Sequence, residues 1–226
     1  MSQLSPVIEE LKSLDKKNAH WKTSSDGSPC KHLKLYYQNL VYQSEYFVCC
    51  DCNYNITEKN DPERYKKEKE LMNKVDENDK SDMADAINRG ISIAFLVEFC
   101  TAFDLWEVSV HDTNINYIIP MTSDHRCRFV DLPVFKNKEY PEVVGRADTF
   151  VTHTNFSKFG DLVAAISKGA DLNRKVYIWG FAARQWPCSK NDWFLEYVIQ
   201  RCSSLIVFCP DPPELLRCSD ISALPD

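Results

Sequence analysis

Four residues near the start of the chain have the types and spacing to hold a metal ion: Cys30-x-His32 and Cys49-x-x-Cys52. A Cys-x-x-Cys turn offers two thiolates to one ion. A Cys-x-His pair on a strand offers two more from one face, because side chains two apart point the same way. Leu33 and Leu35 alternate on one flank of this module and Tyr46 to Val48 are apolar on the other, the pattern of a hairpin that would bring the pairs together as a ribbon. Asn53 follows the turn, where a residue tolerant of positive φ is often needed. Four such ligands leave no coordination position for water, so the expected Zn²⁺ is structural. Cys50 adjoins the pair, and spacing alone leaves open whether Cys49 or Cys50 is the ligand.

A second group lies in the C-terminal half. His153 and Asn155 stand in Thr152-His-Thr-Asn155, and Arg184, Gln185 and Trp186 follow one another thirty residues later. The polar members could converge on a small ligand, with Trp186 as a stacking surface. Each also has a structural role open to it: His153 in bonding backbone, Arg184 in capping a helix or pairing with Asp192 or Glu196, and Trp186, before Pro187, in packing.

The elements that must position this second group are the most regular in the chain. Thr149 to Thr152 is a short β-branched strand; Phe159, Leu162, Val163 and Ile166 form a helical stripe ended by Gly169; Val176 to Ile178 is a second strand. Leu195, Val198, Ile199 and Cys202 form a second stripe with Ser189 or Asn191 as N-cap, and Leu205 to Phe208 is a third strand, apolar throughout like a buried parallel strand. This order predicts an α/β fold with a parallel sheet and ligand-binding groups beyond the carboxyl ends of its strands. Upstream, Ile87, Ile91, Ala94, Phe95, Phe99 and Ala102 recur at helical steps, with a break at Gly90. Tyr117 to Ile119 and Arg128 to Leu132 read as edge strands or loops, and Val7 to Leu14 as a short helix. The chain divides into an N-terminal segment with the ribbon (1–57), a charged linker or helix (58–82) and an α/β domain (83–226).

Composition narrows the function classes. The 226 residues are 44% hydrophobic and 27% charged, ordinary for a packed globular chain. A net charge of −6 argues against binding to nucleic acid, which needs clustered Lys and Arg to neutralise phosphates. Tyr36, Tyr37 and Tyr42 could stack on bases, but aromatic residues in a small ribbon more often form its core. The N-terminus carries no secretory pattern, and the longest apolar stretch, Ile91 to Phe99, is too short for a membrane span and contains Glu98. A cytoplasmic location is expected, in which the ten cysteines serve as metal ligands or buried thiols. Cys209 and Ser203 or Ser204 flank a strand without the strand–nucleophile–helix elbow of a hydrolase.

Several segments together resemble a known family. Ala147-Asp-Thr-Phe-Val-Thr-His153, Lys158-Phe-Gly-Asp-Leu-Val163, Arg174-Lys-Val-Tyr-Ile178 and Phe181-Ala-Ala-Arg-Gln185 are similar to the ADxFVSHxW, FxDLV and VWxDxFxxxQ motifs of a Toll/interleukin-receptor (TIR)-like family of algae and other protists. Arg126-Cys-Arg-Phe-Val-Asp-Leu132 resembles the segment preceding that domain, so the likeness covers roughly residues 83–217. It implies a three-layer, flavodoxin-like parallel sheet and one of two roles, self-association for signalling or cleavage of NAD-type nucleotides.

The departures bear on which role. Thr152 replaces the family's Ser, Asn155 its Trp, and Trp179 its second-strand Asp. The family's LxRxWCLxE motif, whose Glu is catalytic in the nucleotide-cleaving members, aligns with Leu215-Leu-Arg-Cys-Ser-Asp-Ile-Ser-Ala223, which places Ala223 at the acid. Glu214, after Pro212-Pro213, and Glu196 on the second helix are the remaining acids. A TIR-like sheet has about five strands, and here only three precede the last residue. The expectation is therefore a truncated, noncatalytic signalling or adaptor protein whose third strand is an open apolar edge. That edge would be covered by the 83–132 region, a protein partner or a second copy. A NAD-type nucleotide hydrolase using Glu214 is the alternative, and a nucleic-acid-binding zinc ribbon the third.

Overall fold

The computed structural model describes residues 3–17, 35–38, 46–49, 55–81, 83–123, 125, 127–185 and 193–209. The chain opens with α1 (Ser5–Lys17), whose Val7, Ile8 and Leu11 recur at helical spacing and are buried. They pack into the same core as the C-terminal half, with Leu4 beside them. The helix that the sequence groups with the ribbon thus seals the base of the α/β unit, and the Tyr140 hydroxyl donates to Glu10 at 3.2 Å across that contact.

A separate antiparallel sheet follows. β1 (Leu35–Gln38) and β2 (Tyr46–Cys49) pair with Leu35 opposite Cys49 and Gln38 opposite Tyr46, and β3 (Asn55–Ile56) pairs on the far side of β2. The expected hairpin is present. Beyond it, α2 (Pro62–Ser81) fills the charged stretch as one long helix.

The main sheet has five strands in the order β5-β4-β7-β6-β8. Its members are β4 (Gly90–Ser92), β5 (Val144–Gly145), β6 (Thr149–His153), β7 (Lys175–Ile178) and β8 (Ser204–Phe208). β6 pairs in parallel with both β7 and β8, whereas β4 runs antiparallel to β7 and β5. The three strands expected from the sequence are therefore adjacent and parallel, and β4 alone is reversed.

Two expectations are corrected at β4. Residues 90–92, expected to belong to a helix with a break at Gly90, form a buried strand, and α3 (Ile93–Ala102) begins immediately after it, capped by Ser92 Oγ, which accepts from the Phe95 amide at 3.3 Å. Residues 83–132 also do not cover β8. They contribute β4 at the opposite side of the sheet, leaving β8 as the terminal strand among the described residues.

Of the two segments read as edge strands or loops, Tyr117–Ile119 is helical, a correction, and Arg128–Leu132 is a loop with a 3₁₀ turn. The chain from 110 to 123 is helical, as α4 (Val110–Thr113), a π turn (Asn114–Ile118) and α5 (Ile119–Ser123); Phe129–Asp131 and Pro133–Lys136 are 3₁₀ turns. Pro120 has no amide to give the carbonyl one turn back, a local reason for the helix to widen there.

Two further helices cover opposite sides of the sheet. α6 (Phe159–Ser167) buries Leu162, Val163 and Ile166 with Val151, Val176 and Ile178, and Gly169 (φ +69°) turns the chain away after it. After α7 (Trp179–Ala182), α8 (Trp193–Ile199) packs Val198 and Leu195 against Phe150 and Tyr177 on the other face. Ile199 is exposed and so lies outside the expected stripe; both expected N-cap residues, Ser189 and Asn191, lie outside the described residues.

Candidate functional site

The loop after β6 is stitched to the start of α4. The amides of Val110 and His111 donate to the carbonyls of Ser157 (2.8 Å) and Asn155 (2.9 Å), and the Phe159 amide donates to Val108 (2.8 Å). Ser109 caps α4 by accepting from the Asp112 amide at 2.9 Å. These bonds hold the 110–118 helix across the carboxyl ends of β6 and β7.

Between them lies a cavity of ≈ 60 Å³. Apolar Val110, Ile118, Phe159, Ile178 and Phe181 supply most of its wall. Its polar lining comes from Thr113, Asn114, His153 and Asn155, with His111 at the same cavity. Three buried atoms there, Thr113 Oγ1, Asn114 Oδ1 and His153 Nε2, have no hydrogen-bond partner. Buried polar atoms are nearly always paired, so three orphans lining one cavity mark a place where a partner belongs.

Gln185 fixes which end of Asn114 faces inward. Gln185 Nε2 donates to the carbonyls of Trp179 and Ala183, each at 3.3 Å, so its Oε1 is the acceptor for Asn114 Nδ2 at 2.7 Å. That leaves Asn114 Oδ1, an acceptor only, for the cavity. His153 stays neutral further below the usual imidazole range, because burial penalises its charged form.

A second, more open cavity of ≈ 210 Å³ shares His153, Asn155 and Trp179 and adds Phe150, Thr152 and Leu195. Of the residues expected to bind a ligand, His153 and Asn155 therefore line both cavities. Gln185 is buried as a brace behind Asn114, Arg184 is half-buried outside both linings, and Trp186 lies outside the described residues. Glu196 is exposed and accepts from Gln200 at 3.1 Å. His111, Thr113, Asn114 and Trp179 are among the lining residues that the sequence reading missed. Ser109-Val-His-Asp112, close to a helix-capping S-x-x-E pattern, was the available signal for a helix there.

Of the expected zinc ligands, Cys49 ends β2, while Cys30, His32, Cys52 and the alternative Cys50 lie outside the described residues, as do Glu214 and Ala223. Among the described residues no group of three His, Cys, Asp or Glu side chains is placed to hold a metal. Burial pushes the Cys100 thiol up to about 12 and Cys127 up to about 11, with nearby Asp104 and Asp131 adding to the effect, so neither is a nucleophile at neutral pH.

The fold and site define a mixed α/β protein with a mainly apolar cavity, carrying a few polar groups, over the carboxyl ends of its parallel strands. Comparison with protein-family models, with curated proteins and with solved structures finds no match to this chain.

Burial of neutral His153 has a consequence for stability. Its folded pKa is depressed below 6.5, so the unfolded chain takes up the proton first as pH falls. Stability is then complete above the unfolded value and declines as pH drops towards the folded one. Urea midpoints should fall between about pH 7.5 and about pH 5.5, and His153→Gln should flatten that slope. An unchanged slope in the variant would assign the dependence to other groups.

Proposed function

We propose that this chain is a noncatalytic TIR-like assembly or adaptor protein carrying a structural zinc ribbon. The observation that supports assembly most directly is β8. Ile206 and Phe208 pack against the core, but Leu205 and Val207, which alternate with them, are 54% and 53% exposed on the strand that terminates the sheet among the described residues. The sequence reading of a strand buried on both faces is thereby corrected. An apolar terminal strand is a template for strand addition by another chain, and a second copy is the simplest occupant. Sedimentation of the intact protein should show concentration-dependent self-association, weakened by L205K/V207K with a stability change within about 0.5 kcal/mol. A strict monomer at high concentration, identical in the variant, would remove the reading.

The TIR-like, flavodoxin-like layering draws support from topology. The three parallel strands lie in the order second, first, third (β7-β6-β8), with α6 and α8 on opposite faces, which is how a doubly wound sheet of 2-1-3 order begins.

Zinc is supported by the hairpin. With Leu35 opposite Cys49 in antiparallel pairing, the chain enters β1 and leaves β2 at the same end. Cys30 and His32 precede that end in sequence and Cys52 follows it, so a short connection on each side suffices to gather them with Cys49. Protein purified without chelator should contain one zinc per chain, and Cys52→Ser should lose it; absence of stoichiometric zinc would remove the ribbon. No helix among the described residues is long and apolar enough to cross a membrane, in keeping with the cytoplasmic location we propose.

A further inference from the structure

We propose that the cavity beneath α4 is a receptor for an uncharged amide head group, a primary carboxamide carried on a larger small molecule. The hydrogen-bond pattern points to this class. Asn114 Oδ1 can only accept, and its orientation is set by the Gln185 brace rather than by choice of rotamer. The Thr113 hydroxyl, whose residue is 2% exposed, can donate or accept, and the neutral His153 ring brings a third polar atom. A primary amide is complementary to this set. Its N–H donates to Asn114 Oδ1, and its carbonyl accepts from the Thr113 hydroxyl.

Charged head groups are disfavoured. Among the described residues the lining contains no Lys, Arg, Asp or Glu, so a carboxylate, phosphate or ammonium would be desolvated against apolar walls without a counter-charge. A carboxylate would also meet the lone pairs of Asn114 Oδ1. Size agrees with an amide group. A single water needs about 10–15 Å³ and benzene fills a cavity of about 150 Å³, whereas this one measures ≈ 60 Å³. The rest of the ligand would leave past His111 and Asn155, where the exposed Phe156 ring lies 6.5 Å from His111. The site is internal to one chain, so this inference stands or falls separately from self-association.

The test uses the full chain and three probes of matched size, propionamide, propionate and propylammonium, titrated while NMR follows the amides of residues 110–114 and 178–181. Propionamide should give saturable shifts with a Kd on the order of 10 mM, and each charged probe should bind at least about tenfold more weakly. Thr113→Val removes the hydroxyl at constant shape and should weaken propionamide by about tenfold. Gly180→Ala supplies a second variant that keeps the fold. A β-carbon there would meet only Asn114 Oδ1, at an ordinary 3.9 Å, and would stand in front of the acceptor. It should weaken propionamide binding without lowering the unfolding midpoint. Propionate binding as tightly as propionamide, no saturable shift up to about 200 mM (a cavity holding water only), or undiminished binding in both variants would each overturn the proposal.

Discussion

Phe99→Ala is expected to lower the free energy of unfolding by roughly 3–5 kcal/mol, a large share of what holds a domain of this size together. Phe99 is fully buried on α3, and five other rings surround it. Phe103 lies at 4.8 Å between centroids, Phe129 at 5.6 Å, Phe95 at 5.7 Å, Phe181 at 5.8 Å and Phe159 at 6.4 Å. Three of these contacts are edge-to-face, the arrangement in which the positive rim of one ring meets the negative face of another. The five partners come from α3 and its end, a 3₁₀ turn, α6 and α7, so the residual hole could be filled only by moving several elements at once. Phe156→Ala, at a side chain 89% exposed, is the control and should change stability by less than about 0.5 kcal/mol. Equilibrium urea unfolding followed by circular dichroism decides it, and a loss below about 1 kcal/mol at Phe99 would mean the cluster is not closely packed.

Gly160→Ala should be nearly as damaging, about 3 kcal/mol, although alanine is the better helix former by about 1 kcal/mol. Gly160 sits in the first turn of α6, where its missing β-carbon makes room for the Trp106 backbone. A methyl there would overlap the Trp106 carbonyl oxygen and would fall 2.6 Å from its Cα and 2.8 Å from its Cε3. Backbone cannot turn aside as a flexible side chain can. It is pinned besides by the Phe159 amide on the Val108 carbonyl and by the Ser109–Lys158 bridge. Because the same segment leads into α4, the variant should also disturb the amide resonances of residues 110–114. Gly180→Ala provides the contrast, since its methyl would meet only Asn114 Oδ1, at an ordinary 3.9 Å. Equal effects of the two substitutions would show that helix propensity, not close approach, governs both sites.

The sequence was most informative where a single periodicity ran undisturbed. β6, β7 and α6 come out within a residue or two of expectation, because β-branched runs and a four-residue apolar stripe each bury one continuous surface. β4 was hidden by coincidence. Ile91 stands four residues from Ile87 and from Phe95, so a three-residue strand and the helix after it together imitate one helical stripe. The helical run from 110 to 123 was hidden by composition, since Asn114, Asn116 and Pro120 are poor helix residues and the segment is held by the loop after β6 instead. The same causes divide the candidate site. His153 and Asn155 were legible at a strand end, where α/β sheets place their ligands. Thr113 and Asn114 were not, because only tertiary contact sets them opposite His153.

The placement of β6 also constrains the order in which a growing chain can mature on the ribosome. It is the strand with parallel neighbours on both sides, and both β7 and β8 are synthesised after it. Until residue 178 has emerged, α1, β4 and the phenylalanine-rich α3 have no sheet to lie on, so a long apolar stretch must wait in the nascent chain. Slow translation before that point would lengthen the exposure, and holding factors that shelter emerging apolar segments should matter more for this protein than for one whose early strands pair locally.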